Sequence, residues 1–125
     1  MDQAIRDLTR DSGVLRRITG EPDEAGYTTL QFSFDHGTLC LSCDADTDEI
    51  VAATGVASDV GSVSLDTDEL LAPLLGRVIE LVWELSNDRG YTDGFQIRCL
   101  DLETREENCC QFEVAAAAMT IARVG

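Results

Sequence analysis

The chain has 125 residues, of which 44% are hydrophobic and 26% are charged, and it contains only two prolines. This length suits one domain that buries about two-thirds of its unfolded surface, and the composition is typical of a globular chain rather than a disordered one. Asp and Glu number 24 against nine basic residues, all of them arginine, which gives a net charge of −15. So negative a surface repels phosphates, which argues against nucleic acid and favours a basic protein or cations as partners.

A simpler interpretation of the acidity is favoured over an acidity-dependent partner: the net charge serves to keep the protein soluble and nothing more. The N-terminal residues carry acids and arginines where a signal peptide would need an apolar run, and no apolar stretch approaches the length that spans a membrane. The sequence therefore predicts a cytoplasmic protein with no membrane partner. Five cysteines, an odd number, are expected to be reduced thiols in that compartment.

The first half of the chain predicts mostly β-strands. Residues 2–10 fit a helix of at most two turns, with Asp2 as a candidate N-cap. Residues 13–19 are a candidate strand. Alternating apolar and polar side chains then predict a three-stranded antiparallel meander over residues 27–54, with turns at residues 35–37 and 44–49.

The second half predicts a short helix followed by another meander. Asp66 to Glu69 resembles a helix start, and Pro73 and Gly76 limit its extension. The segment RVIELVWEL has both helical and strand periodicity, and its β-branched and aromatic content favours a strand. The turn-rich SNDRGYTDG then joins this strand to the alternating FQIRCLDL, which predicts a hairpin. CCQFEV predicts a third strand, whereas residues 115–124 suit strand or helix equally.

These elements predict an α+β fold in one domain, residues 1–125. The β part is mainly an antiparallel meander, arranged as two hairpin-built sheets or as one curved sheet, with one or two short helices. Pairing between strands that are neighbours in sequence is the expected order.

Two short motifs resemble metal sites. Asp44, Asp46 and Asp48 alternate as in the start of a calcium loop, but the Gly and the bidentate Glu that such a loop needs further on are absent, so a hairpin turn is favoured. Cys40 and Cys43 form a C-x-x-C, yet residues three apart on a strand face opposite sides, so structural thiols are favoured over zinc. The sequence therefore predicts no metal site.

Catalytic motifs are also missing from the sequence. His36, the single histidine, lies between Asp35 and Gly37 in a predicted tight turn, without a nucleophile elbow or a phosphate-binding loop elsewhere in the chain. No cofactor is indicated, and the prior for an enzyme is lowered.

The densest cluster of unusual side chains runs from Trp83 to Gln96. A binding site is expected here, if anywhere, with these candidate residues: Trp83, Asn87, Arg89, Tyr91, Asp93 and Gln96. The favoured alternative is a plain hairpin in which Gly90 and Gly94 take positive φ and the aromatic side chains pack at the core edge.

The same stretch, GRVIELVWELSNDRGYTDGFQI, together with the later QFEVAAAAM, resembles a small bacterial family of functionally uncharacterised single-domain proteins. The resemblance covers residues 76–119. It implies a bacterial, cytoplasmic protein, and it brings no activity, cofactor or catalytic residue to these positions.

Two classes of function remain open. The first is a non-catalytic protein interaction module, which would bind a second copy of itself or a basic protein, and whose sharper form is a toxin-neutralising immunity-type protein. The second is a small-ligand-binding protein or enzyme. Its pocket, between sheet and helix, would be lined by Tyr91, Asp93, Gln96, Arg98 and His36.

Overall fold

The computed structural model describes residues 12–24, 26–44, 46, 49–54, 63–86, 88–90, 92–115 and 118–124. Nine strands occur in this part of the chain: β1 Leu15–Asp23, β2 Gly26–Phe34, β3 Gly37–Asp44, β4 Glu49–Thr54, β5 Val63–Ser64, β6 Val78–Ser86, β7 Thr92–Leu100, β8 Glu107–Ala115 and β9 Ala118–Val124. A short 3₁₀ helix covers Ala72–Leu74.

All described pairings are antiparallel and belong to one curled sheet. Its strands follow the order β4, β3, β2, β9, β8, β7, β6, and β1 pairs with both β2 and β5. The predicted meanders are therefore confirmed, and the alternative of one curved sheet is the correct one. The strand expected within residues 13–19 is also confirmed as β1. In the C-terminal segment, for which the sequence allowed strand or helix, Ala118–Val124 form strand β9.

The helical part of the α+β prediction is wrong over the described residues. Asp68 stabilises the turn before the 3₁₀ helix, because its Oδ1 accepts hydrogen bonds from the backbone N–H of Leu70 at 2.9 Å and of Leu71 at 3.1 Å, but the N-cap of that helix is Leu71, without a side-chain cap. Pro73 and Gly76 follow within one or two turns, and Pro is excluded from a helix interior, so the segment stops at a 3₁₀ turn. The helix expected at residues 2–10 lies outside the described residues.

The core fills the concave side of the sheet. Alternate residues of each strand point inward, and Leu71 and Leu74 from the 3₁₀ segment enter the same space, where both are almost fully buried. Phe32 of β2 and Phe112 of β8 meet there edge to face, with ring centroids 5.8 Å apart and an interplanar angle of 81°. The concave side therefore joins the two halves of the sheet through side chains.

Two backbone contacts bring β1 close to the start of β6. The N–H of Leu15 donates to the carbonyl of Arg77 at 2.8 Å, and the N–H of Gly76 donates to the carbonyl of Leu15 at 2.9 Å. Arg77 is fixed in turn by Nε donating to the Pro73 carbonyl at 2.6 Å. These contacts end before β6 begins at Val78, so the described strands pair with β6 along its β7 side alone.

Candidate functional site

Strand β6 presents two large apolar side chains to solvent. Ile79 and Val82 are buried in the core, whereas Leu81 and Trp83 are each 40% exposed. The register slips between Ile79 and Leu81, which makes Glu80 the extra residue of a β-bulge. The bulge explains why the core-facing residues of β6 are three positions apart rather than two.

Neighbouring strands extend this exposed surface in rows. Trp83 lies opposite Gln96, which lies opposite Gln111 of β8. Gln96 Nε2 donates to Gln111 Oε1 at 2.6 Å, and Gln111 Nε2 donates to the carboxylate of Glu113. We call the outer surface formed by the next five residues the Trp83 face: Leu81, Trp83, Gln96, Arg98 and Gln111.

The guanidinium of Arg98 is the positive charge at the middle of the Trp83 face. Its Cζ lies 5.4 Å from the centroid of the Trp83 ring, within the range of a cation–π contact. Its terminal nitrogens lie 3.7 Å from a Glu80 oxygen and 3.8 Å from a Glu107 oxygen. Arg98 therefore fixes the indole while two carboxylates offset its charge.

These ion pairs are too long to be hydrogen bonds. Arg98 Nε and Glu80 Oε2 are both shielded from solvent and lack a hydrogen-bond partner within the described chain. A buried polar atom without a partner carries a desolvation cost of about 1–3 kcal/mol. The Trp83 face therefore holds donor and acceptor capacity that its own side chains do not use.

The structure brings together some of the candidate residues predicted from sequence and separates others. Trp83 and Gln96 are cross-strand neighbours, while Asp93 is the extra residue of a second bulge, on β7. Arg89 is exposed in the turn between β6 and β7. Asn87 and Tyr91 lie outside the described residues.

The glycines of this hairpin differ from the prediction. Gly90 has φ +83°, as expected for the turn, but Gly94 is not among the positive-φ residues. Gly94 is needed for a different reason: a Cβ there would lie 2.9 Å from the carbonyl oxygen of Phe112. Its role is to let β7 and β8 approach closely.

Sequence reasoning missed Leu81 of the Trp83 face and the two glutamates beside that face, Glu80 and Glu107. The alternation of Leu81 with buried Val82 contained a usable signal, because it predicts one solvent face for β6. The approach of Glu80 and Glu107 to Arg98 had no such signal, since it depends on the bulge and on the pairing of β7 with β8.

The proposed ligand pocket has limited support. An open recess of about 200 Å³ is lined by Leu85, Asp93, Glu113 and Val114. Among the described residues of the predicted pocket set, Asp93 alone lines this recess. His36 is exposed in the β2–β3 turn, where its backbone N–H donates to the Ser12 carbonyl at 2.8 Å, next to the start of β1.

The two metal-like motifs lie on β3 and in the turn that follows it. On β3, Cys40 lies between buried Leu39 and Leu41, whereas Cys43 packs against the core, so the two thiols point to opposite faces. The Asp44 carboxylate accepts a hydrogen bond from the N–H of Asp46 at 2.9 Å, as in an Asx turn, and Asp48 lies outside the described residues. Over the described ranges, no three His, Cys, Asp or Glu side chains cluster as metal ligands would.

Burial raises the pKa of the Cys99 thiol to about 12 and that of the Cys110 thiol to about 11, from a usual value of 9.0. Above about pH 9 the folded chain therefore retains protons that the unfolded chain releases. This contribution to stability is complete below pH 9 and is lost as the pH rises toward 11 and 12. We expect the free energy of unfolding to fall by up to about 1.4 kcal/mol per pH unit for each thiol.

Denaturant titrations across that alkaline range measure this slope. The substitution Cys99→Ala lowers stability at every pH and should also flatten the slope, because one titrating thiol is gone. Leu102→Ala, at a residue that is 56% exposed, is the matched control and should keep the full slope. An unchanged slope in Cys99→Ala would contradict the assignment.

Among the comparisons with known proteins, a match comes from a protein family alone. No curated protein and no solved structure matches the chain. No helix in the described part of the chain is long and apolar enough to cross a membrane. Residues 1–125 match a family described as a family of unknown function, DUF6334. Because this match covers the whole sequence, the chain belongs to that family.

Proposed function

We propose that this protein is a cytoplasmic, non-catalytic protein interaction module that binds a basic protein through the Trp83 face. The observation that carries the proposal is the 40% exposed Trp83 on strand β6, in contact with Arg98 and bordered by glutamates. Trp and Arg are enriched among residues that dominate binding energy at protein interfaces. The surface combines two exposed apolar side chains, Leu81 and Trp83, with neighbouring polar and charged ones, and protein interfaces contain both kinds.

The charge of the chain supports a basic partner. Glu80, Glu107 and Glu113 border the Trp83 face, against the one positive charge of Arg98, and the whole chain carries −15. Complementary charges accelerate association and are screened by salt. A basic partner with an apolar protrusion would therefore associate rapidly at low ionic strength and more slowly as salt is added.

The first test uses the tagged chain as bait in an extract of its own cells, at low and at moderate salt, with mass spectrometry of the retained proteins. A basic protein that is lost when salt is added is the expected result. Its affinity is then measured with the purified partner. We expect Trp83→Ala to weaken binding by about 2–4 kcal/mol, the range of an interface hot spot.

Charge reversal supplies the matched control. Glu107→Arg changes the charge at the border of the Trp83 face and should slow association and reduce its dependence on salt. Glu69→Arg makes the same charge change at an exposed residue of the β5–3₁₀ connection, and it should alter both properties much less. Equal binding of the wild type, Trp83→Ala and Glu107→Arg would overturn the proposal.

One form of this function is an immunity-type protein that neutralises a basic toxin. The small size and the charge of −15 support it. In this form, expression of the retained partner without this chain arrests growth, and co-expression of the wild-type chain restores it. Co-expression of the Trp83→Ala variant restores growth poorly.

A further inference from the structure

Strand β6 ends the sheet. It pairs with β7 on one side, and no other described strand pairs with its second side. The free N–H and C=O groups of an exposed edge strand can pair with another chain, and short length, Pro, charged side chains and bulges oppose this. Strand β6 has nine residues and no Pro, and its opposing features are the bulge at Glu80 and the charges of Glu80 and Glu84.

We propose that a second copy of this chain pairs with β6 in antiparallel fashion, so that two sheets continue into one across a twofold axis at Trp83. The observations that carry this proposal are the unpaired edge and the apolar residues on the outer side of β6, Leu81, Trp83 and Leu85. Leu81 and Trp83 are the exposed members, and Leu85 is half-buried. Both this proposal and the basic partner use Trp83, and their opposite dependence on salt tells them apart.

The charges of β6 select the register. In a continuous sheet, paired residues must share a face, so the axis passes through a residue, and the central candidates of β6 are Val82, Trp83 and Glu84. An axis at Val82 places Glu80 opposite Glu84 of the second copy, and an axis at Glu84 places that residue opposite itself. Like charges directly opposite each other destabilise a strand pair. The axis at Trp83 avoids both contacts.

The Trp83 register is also self-complementary in its apolar side chains. It places Trp83 opposite Trp83 of the second copy, and Leu81 opposite Leu85. Paired aromatic and aliphatic side chains on one face of an antiparallel pair are stabilising. The carboxylate of Glu84, opposite Val82, is already held by the Thr92 hydroxyl at 2.5 Å.

The other sheet edges are poorer matches for the same role, and β5, which pairs with β1 alone, has only two residues. Strand β4 has six residues, and Val51 is its exposed large hydrophobic residue. It therefore offers one apolar contact on its outer face, where β6 offers three. The pairing is assigned to β6 for this reason.

Charge also predicts how this dimer responds to salt. Each copy carries −15, so the two copies repel each other at low ionic strength and salt reduces that repulsion. Self-association should therefore strengthen as salt is added. Binding of a basic partner weakens under the same change, so failure of one proposal can be told from failure of the other.

Sedimentation of the purified full chain over a range of protein concentrations, at low and high salt, is the direct test. We expect a species of twice the 13.6 kDa monomer mass at high concentration, and more of it at high salt. Trp83→Lys places two ammonium groups opposite each other at the axis and should raise the dissociation constant at least about tenfold. Val51→Lys, which makes the same change on β4, is the matched control and should dimerise normally.

Mixing two variants tests the axis itself. Trp83→Lys and Trp83→Glu should each be monomeric alone, whereas their mixture should form a heterodimer because the axis places residue 83 opposite itself. Circular dichroism of each variant establishes that it is folded. A wild-type chain that stays monomeric at every salt concentration, a dimer that Val51→Lys disrupts in place of Trp83→Lys, or a mixture that stays monomeric would each overturn the proposal.

Discussion

Replacing Gly26 with alanine should lower the free energy of unfolding by about 3–5 kcal/mol, because it combines backbone strain with steric overlap. Gly26 has φ +151°, which residues with a side chain rarely adopt. A Cβ at this position would overlap the carbonyl oxygen of Met119 and lie 3.0 Å from its carbonyl carbon. The effect is large because of where this contact occurs in the sheet.

Gly26 begins β2 at the point where the two halves of the sheet meet. The described pairing between β2 and β9 consists of Tyr27 opposite Met119. A displaced Met119 carbonyl would therefore disturb the junction itself rather than one hairpin. Denaturant unfolding of Gly26→Ala measures the cost.

Gly90→Ala is the matched control for this prediction. Gly90 has φ +83°, but a Cβ there would meet no heavy atom within 4 Å. This variant should lose about 1 kcal/mol from backbone strain alone. Equal losses in Gly26→Ala and Gly90→Ala would show that the close approach to Met119 does not contribute.

The second large effect is expected from Phe112→Ala, which should cost about 3–5 kcal/mol. Phe112 is fully buried and packs edge to face on Phe32 from the other half of the sheet. Its removal leaves a cavity between β2 and β8 that the curled sheet cannot easily close. A domain of this size has only about 5–15 kcal/mol of total stability, so the variant should lose a large part of it, which denaturant unfolding measures.

Phe112→Leu separates volume from ring geometry. It keeps much of the apolar volume, so it should cost less than the alanine variant and lose mainly the edge-to-face contact, worth about 0.5–1.5 kcal/mol. A double-mutant cycle with Phe32→Leu should recover that coupling. A coupling near zero would mean that the two rings contribute independently.

The candidate site was predictable only in part. The sequence indicated the Trp83 to Gln96 segment, and Trp83 and Gln96 do share one surface. It did not indicate Glu80 or Glu107, because these approach Arg98 through a bulge and through strand pairing. The predicted pocket set is not brought together, since His36 lies in the β2–β3 turn whereas Asp93 lies on β7 and lines a recess without His36.

Local physical chemistry determined much of the fold. Period-two alternation in residues 27–54 and in FQIRCLDL specified the strands, and Asp35–Gly37 and Gly90 specified tight turns, so sequential antiparallel pairing followed. These features depend on residues only a few positions apart. The sequence by itself therefore determined the two meanders and the strand identity of β6.

Tertiary structure decided the rest, because those features depend on residues that are far apart in the chain. The 66–76 segment has a helix-like start, but burial of Leu71 and Leu74 in the concave core and the restriction at Pro73 leave it as a 3₁₀ turn. The last strand was ambiguous by propensity and became β9 because it pairs with β8 and meets β2 at Tyr27. The local preference of residues 118–124 is too weak to oppose the hydrogen bonds of a central strand and the burial of Ala118 and Met119, and these contacts exist only once the sheet has curled.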